Sequence, residues 1–160
     1  MKRSRLAALA AFGASALVTL WARAVGAPTD QYGPFNKNDA TIRDLKTGLT
    51  WLRAPSPTKG YRDAAVAYCL GAPGGPFRLP TYKELLTLVD EDPHWEYDPS
   101  SGTTTQRYID PNAFPATPPD LFWTISAGLS GAKVVNFGDG TTAARNPSPT
   151  GDIAYARCVR

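Results

Sequence analysis

The sequence predicts an α+β domain, two short helices packed on antiparallel strands with a long irregular loop. Two helical patterns, over residues 61–70 and 81–89, come early in the chain, and short runs of β-branched and aromatic residues lie before and after them. Strands gathered from both ends of a chain in this way pair antiparallel, with the helices against one face of the sheet. A Thr-x-x-Glu box at the head of the second helix anchors the assignment.

Residues 1–27 stand apart from the rest. Lys2, Arg3 and Arg5 precede an apolar run from Leu6 to about Trp21, and Val25-Gly26-Ala27 offers small residues for cleavage. This is the pattern of a secretory signal peptide. The run is shorter than the roughly 20 residues of a spanning helix, so no stable membrane span is expected after cleavage. No cysteine lies near the cleavage point and no Arg-Arg pair precedes the run, which argues against a lipoprotein and against twin-arginine export. The segment holds four basic residues and no acid, so the formal charge of +3 becomes −1 without it. Net charge therefore gives no support to a nucleic-acid partner. The remaining 133 residues suffice for one domain with a sizeable core. An exported chain of this kind ends in the periplasm or outside the cell.

Residues 28–40 are polar, contain Pro28, Gly33 and Pro34, and read as an exposed lead-in to a domain over 41–160. Thr41 to Asp44 and Leu49 to Arg53 are two short strands joined by a Lys46-Thr47-Gly48 turn. A proline-bearing loop from Ala54 to Lys59 leads to the first helix, Tyr61 to Leu70, which Gly71 is placed to end. Gly71 to Pro76 is a turn. In the second helix the Thr81 hydroxyl caps the amide three residues on while Glu84 reaches back, and Pro80 bars an earlier start. Leu85, Leu88 and Val89, widened by Leu86, form its buried stripe. From Asp90 to Asp120 there are six prolines and little periodicity, the mark of an irregular loop. Strand chemistry returns at Leu121–Ser126, Lys133–Phe137, Thr141–Arg145 and Ile153–Arg160, with Gly138-Asp139-Gly140 as a hairpin turn.

The chain has two cysteines, Cys69 on the last turn of the first helix and Cys158 in the closing strand. In an oxidising compartment a lone pair is most simply a disulfide, and one closing about 90 residues contributes roughly 4–5 kcal/mol. A redox-active or metal-binding pair is the sharper reading, but there is no C-x-x-C and His94 is the only histidine.

Six motifs follow one another in order: Asp-x-x-Thr-Gly-Leu-Thr-Trp (Asp44 to Trp51), Tyr-Cys (Tyr68, Cys69), Arg-Leu-Pro-Thr-x-x-Glu-Leu (Arg78 to Leu85), Phe-Trp-Thr (Phe122 to Thr124), Val-x-Phe-x-x-Gly (Val135 to Gly140) and Arg-Cys-Val-Arg (Arg157 to Arg160). Together they resemble the Lcl C-terminal domain family, the module that ends certain bacterial collagen-like adhesins, over nearly all of the chain beyond residue 27. The resemblance implies a C-type-lectin-like fold, in which a disulfide from the first helix to the last strand matches Cys69 and Cys158. It also implies a non-catalytic binding role, and the adhesin branch is associated with sulfated glycans. This chain lacks collagen-like Gly-x-y repeats, so trimeric adhesion is not implied.

Candidate site residues cluster in the 90–120 loop. Trp95, Tyr97 and Tyr108 are ligand-stacking candidates for a glycan or another cell-surface ligand, and Arg107 is a candidate anion contact; packing onto the domain is the plainer role for these rings. Asp90, Glu91, Asp92, Glu96 and Asp98 are hard-cation donors in principle, but a solvated acidic loop is favoured and no metal or cofactor is expected. Neither a Glu-Pro-Asn or Gln-Pro-Asp motif nor Trp-Asn-Asp is present, which argues against sugar held through calcium. Arg78 is read as half of a structural ion pair rather than an anion contact, and Thr81, Glu84, Trp51 and Trp123 as structural. His94 has no serine elbow around it, so a hydrolase triad is not expected. The rival from another class is an enzyme of the formylglycine-generating type, whose chemistry resembles a pair of reactive cysteines; a structural envelope protein is a third reading.

Overall fold

The computed structural model describes residue 28 and residues 30–160; the expected signal peptide over 1–27 lies outside the described residues. The first hairpin pairs β1 (Thr41–Arg43) with β2 (Thr50–Leu52), Ile42 opposite Trp51. Its turn is held by Asp44, whose Oδ1 accepts from the amides of Lys46 at 2.8 Å and Thr47 at 3.1 Å. Gly48 takes a left-handed φ of 75° there, a conformation that a side chain would strain.

Helix α1 (Arg62–Leu70) buries Ala65 and Cys69. It ends at Gly71 as expected, but that residue has φ −85°, so the ending does not use left-handed glycine backbone. Helix α2 (Tyr82–Leu86) carries the full capping box: the Glu84 amide donates to Thr81 Oγ1, and the Thr81 amide donates to Glu84 Oε2 at 2.7 Å. The regular helix is shorter than its apolar stripe. After Thr87 the amides of Leu88 and Val89 donate three residues back, to Leu85 and Leu86, in a tightened turn that still buries Leu88.

The expected irregular loop from Asp90 to Asp120 is corrected. Its first half is an antiparallel hairpin, β3 (His94–Asp98) with β4 (Thr103–Arg107), in unbroken register from His94↔Arg107 to Asp98↔Thr103. Ile109, Ala113 and Phe114 in the second half are buried. The largest sheet orders β5 (Leu121–Gly128), β6 (Gly131–Asn136) and β7 (Thr142–Arg145) side by side, all antiparallel.

The closing stretch over 153–160 is an extended segment laid in a seam rather than a regular strand. Val159 bridges Trp51 on one side and Arg78 on the other. The amide and carbonyl of Arg160 both pair with Thr50 at 2.9 Å, and Tyr155 pairs with β5. Cys158 is joined to Cys69, 89 positions away, which fastens this segment to α1.

Two contiguous cores result. One surrounds Trp51, Leu85, Leu88, Phe114, Phe122, Phe137 and Val159; the other surrounds Leu52, Phe77, Leu79, Trp123, Val134 and the disulfide. Trp51 and Trp123 are buried, as their strand positions predict. A fully buried cation lies against the rings of the first core. Arg157 donates to the carbonyls of Leu52 and Arg53 and to Thr117 Oγ1, with Phe114 at 4.7 Å and Phe122 at 5.6 Å from its guanidinium. Burial pushes Arg157 down to about 9. A second arginine, Arg53, donates to five carbonyls, those of Asn36, Lys37, Asp39, Asn112 and Ala113.

Arg53 thereby ties down the 28–40 segment, and the exposed lead-in is corrected in part. Gln31 and Gly33 are buried, the Leu45 amide donates to the Gln31 carbonyl, and the ring of Tyr32 stands edge-on to Phe114. Burial, with Asp90, Asp44 and Asp110 nearby, pushes the Tyr32 phenol far above its usual range.

Candidate functional site

The hairpin β3–β4 stands on an ordered base. The Tyr108 amide donates to the Phe137 carbonyl at 2.8 Å, and the Asp90 amide donates to the Tyr108 carbonyl at 3.1 Å, so both legs are tied to the end of β6. His94 Nε2 lies 2.8 Å from Oδ2 of the buried Asp90. Burial pushes the Asp90 carboxyl up, and the hydrogen bond to His94 opposes that shift. The lone histidine thus fastens the hairpin to the domain.

Residues directly opposite on an antiparallel pair share a face. The register puts Trp95 with Gln106 and Tyr97 with Thr104 on one face; His94, Glu96, Thr105 and Arg107 fall on the other. The first face is aromatic and uncharged. Trp95 is 65% exposed and Tyr97 63%, whereas Trp51 and Trp123 are at 0%. Thr104 and Gln106 had no signal in the sequence, because only the register reveals that they share a face with the rings.

The other candidates separate from this pair. Tyr108 is half-buried, accepts from Gln106 Nε2 at 2.8 Å, and lies against Gly140, where an added Cβ would come within 3.3 Å of its ring. It is a strut under the hairpin. Arg107 pairs with Glu96 across the strands, on the face turned away from the two rings. Burial lowers its pKa, and its Nε is enclosed without a partner among the described residues. Arg78 forms a two-pronged ion pair with Glu84, Nη1 to Oε2 at 2.8 Å and Nη2 to Oε1 at 2.7 Å, which is the structural role read from the sequence. The hydrogen bond from Arg78 holds Glu84 down at about 2. The carboxyls of the 90–98 stretch are dispersed, Asp90 onto His94 and Glu96 onto Arg107. Among the described residues no group of three or more His, Cys, Asp or Glu side chains is arranged to hold a metal ion.

A separate groove of about 600 Å³ opens between the end of α1 and the 37–40 segment, walled by Leu52, Ala54, Ala67, Tyr68, Pro73 and Pro115. The guanidinium at its wall, Arg53, has its donors engaged by backbone carbonyls, so the charged groups left to face the groove are Lys37 and Asp39 at its edge. Among the described residues no helix is long and apolar enough to cross a membrane.

A family model described as the Lcl C-terminal domain matches residues 40–160. No curated protein and no solved structure matches the chain.

Proposed function

The chain belongs to the Lcl C-terminal domain family, and from that premise we propose that it is an exported, non-catalytic binding module whose ligand face is the Trp95–Tyr97 side of the β3–β4 hairpin. Its ligand is a glycan or another cell-surface component, and it acts in the periplasm or outside the cell. The scaffold on this reading is C-type-lectin-like. That assignment is supported by the bridge from α1 to the closing segment and by the return of that segment to β2, which brings the two ends of the domain together.

The observation that carries the reading is the exposure of two large rings on one face of a hairpin. Leaving a Trp or Tyr side chain in water forgoes about 1.5–3 kcal/mol of burial, and two on one face form an apolar patch suited to a partner. The enzyme alternative of formylglycine-generating type calls for reactive thiols, and both cysteines of the chain are joined to each other.

The test compares wild type with a Trp95→Ala/Tyr97→Ala variant on a glycan array and on intact cells, after circular dichroism establishes equal folding. The variant is expected to lose at least about tenfold in affinity, the scale of one lost stacking contact. Unchanged binding would remove the hairpin as the ligand face.

A further inference from the structure

Resting on the hairpin as ligand face, we infer a narrower ligand class: the Trp95–Tyr97 face selects uncharged saccharides and turns away polyanionic ones. Four side chains make up that face, two rings, the Thr104 hydroxyl and the Gln106 amide, and none of them is charged at neutral pH. Alternate residues on a strand lie about 7 Å apart, so the rings can take neighbouring units of an extended oligosaccharide. Gln106 gives one amide hydrogen to Tyr108, which fixes the amide's orientation and leaves its oxygen and second hydrogen. A group that both accepts and donates suits sugar hydroxyls, which do the same. The apolar C–H face of a pyranose would lie on the rings while its hydroxyls reach Gln106 and Thr104.

The surrounding charge sets the selection. Between residues 90 and 107 the sequence carries five carboxyls and one guanidinium. That guanidinium, Arg107, is already paired with Glu96 and faces away from the rings. Glu91 and Asp92 are exposed at the foot of the hairpin. A sulfated chain approaching the rings would meet a negative field with no free cation on the face to answer it. The aromatic platform favours sugars in general; the charge removes the anionic ones.

The experiment measures binding of the protein to neutral gluco-, galacto-, manno- and N-acetylglucosamine oligosaccharides and to the sulfated counterpart of each, at low and high salt. Wild type should bind neutral members, with affinity changing less than about twofold across salt because no ion pair is being screened. Trp95→Phe, which keeps a ring, should retain most of that affinity, and Trp95→Ala/Tyr97→Ala should lose at least about tenfold. Glu96→Gln, which removes one carboxylate charge beside the rings without touching their face, should leave neutral binding unchanged and increase binding of sulfated members. A wild-type preference for sulfated members, falling steeply with salt yet lost in the double alanine variant, would overturn the selectivity and keep the hairpin as ligand face. Binding of either class that ignores the double variant would overturn the hairpin reading itself, whereas failure to bind any saccharide would overturn the ligand class and leave the face to the test on intact cells.

Discussion

At the scale of single residues the best-defined polar unit is the Glu84 carboxylate, which accepts two bonds from Arg78 and one from the Thr81 amide. Its folded value of about 2 lies below the ordinary 4.5, so the unfolded chain binds the proton more readily. The stabilisation is therefore complete above the ordinary carboxylate value and is lost as pH falls from 4.5 towards 2. Urea midpoints recorded down that range should fall for wild type, and Glu84→Gln should lack this part of the decline while being less stable at neutral pH. A parallel decline in both proteins would mean that other carboxyls dominate. This unit was readable from the sequence because its members are three and six residues apart. Arg157 and Arg53 were not. Arginine is rarely enclosed, and the acceptors of these two are backbone carbonyls up to 105 positions away, joined for Arg157 by the Thr117 hydroxyl; carbonyls carry no side-chain signature.

At the scale of elements, α2 was legible and the β3–β4 hairpin was not, for opposite reasons. Thr81, Glu84 and the Leu85–Leu88 stripe encode both the start and the buried face of the helix within nine residues. The hairpin has no buried face to encode: His94 to Asp98 alternates polar and aromatic residues, but over only five positions, and its partner from Thr103 to Arg107 is polar throughout, so no paired alternation marks the two strands. The candidate site was half legible for the same reason. Trp95 and Tyr97 stood out by type, while the separation of Tyr108 and Arg107 from them depends on register and on contacts with Gly140 and Glu96. The exposure of the rings also makes a stability prediction. Trp95→Ala/Tyr97→Ala should shift the unfolding free energy by no more than about 0.5 kcal/mol, as for surface positions, whereas Trp123→Ala should cost about 3–5 kcal/mol. A double variant as destabilised as the Trp123 variant would show that the hairpin rings are packing after all.

For the whole molecule, the Cys69–Cys158 bridge spans most of the described chain and connects α1 to the segment that also meets β2 and β5. Removing it with Cys69→Ala/Cys158→Ala should lower stability by roughly 4–5 kcal/mol in the chain-entropy account. Intact mass of the non-reduced protein after alkylation should show no added label. Two labels on protein recovered from outside the cytoplasm would overturn the bridge. The α+β class was legible because strand patterns flank the helices in the sequence. The seam was not, since an extended segment with one bridge to each of several neighbours has no pattern of its own.

That seam also governs the order in which the domain can be finished. The backbone of the stretch from Ala154 to Arg160 is hydrogen-bonded to residues upstream of it, at Thr50, Leu52, Ser56, Gly60, Arg78, Leu121 and Trp123. A chain emerging amino end first therefore holds β2, the Arg78 segment and β5 with an open slot between them until these seven residues arrive. Arg157 enters the slot with them and supplies the donors for carbonyls that would otherwise be enclosed and unanswered. A chain stopped short of Ala154 therefore loses at one stroke the buried donors of Arg157 and the partner of Cys69, so the slot and the bridge stand or fall together.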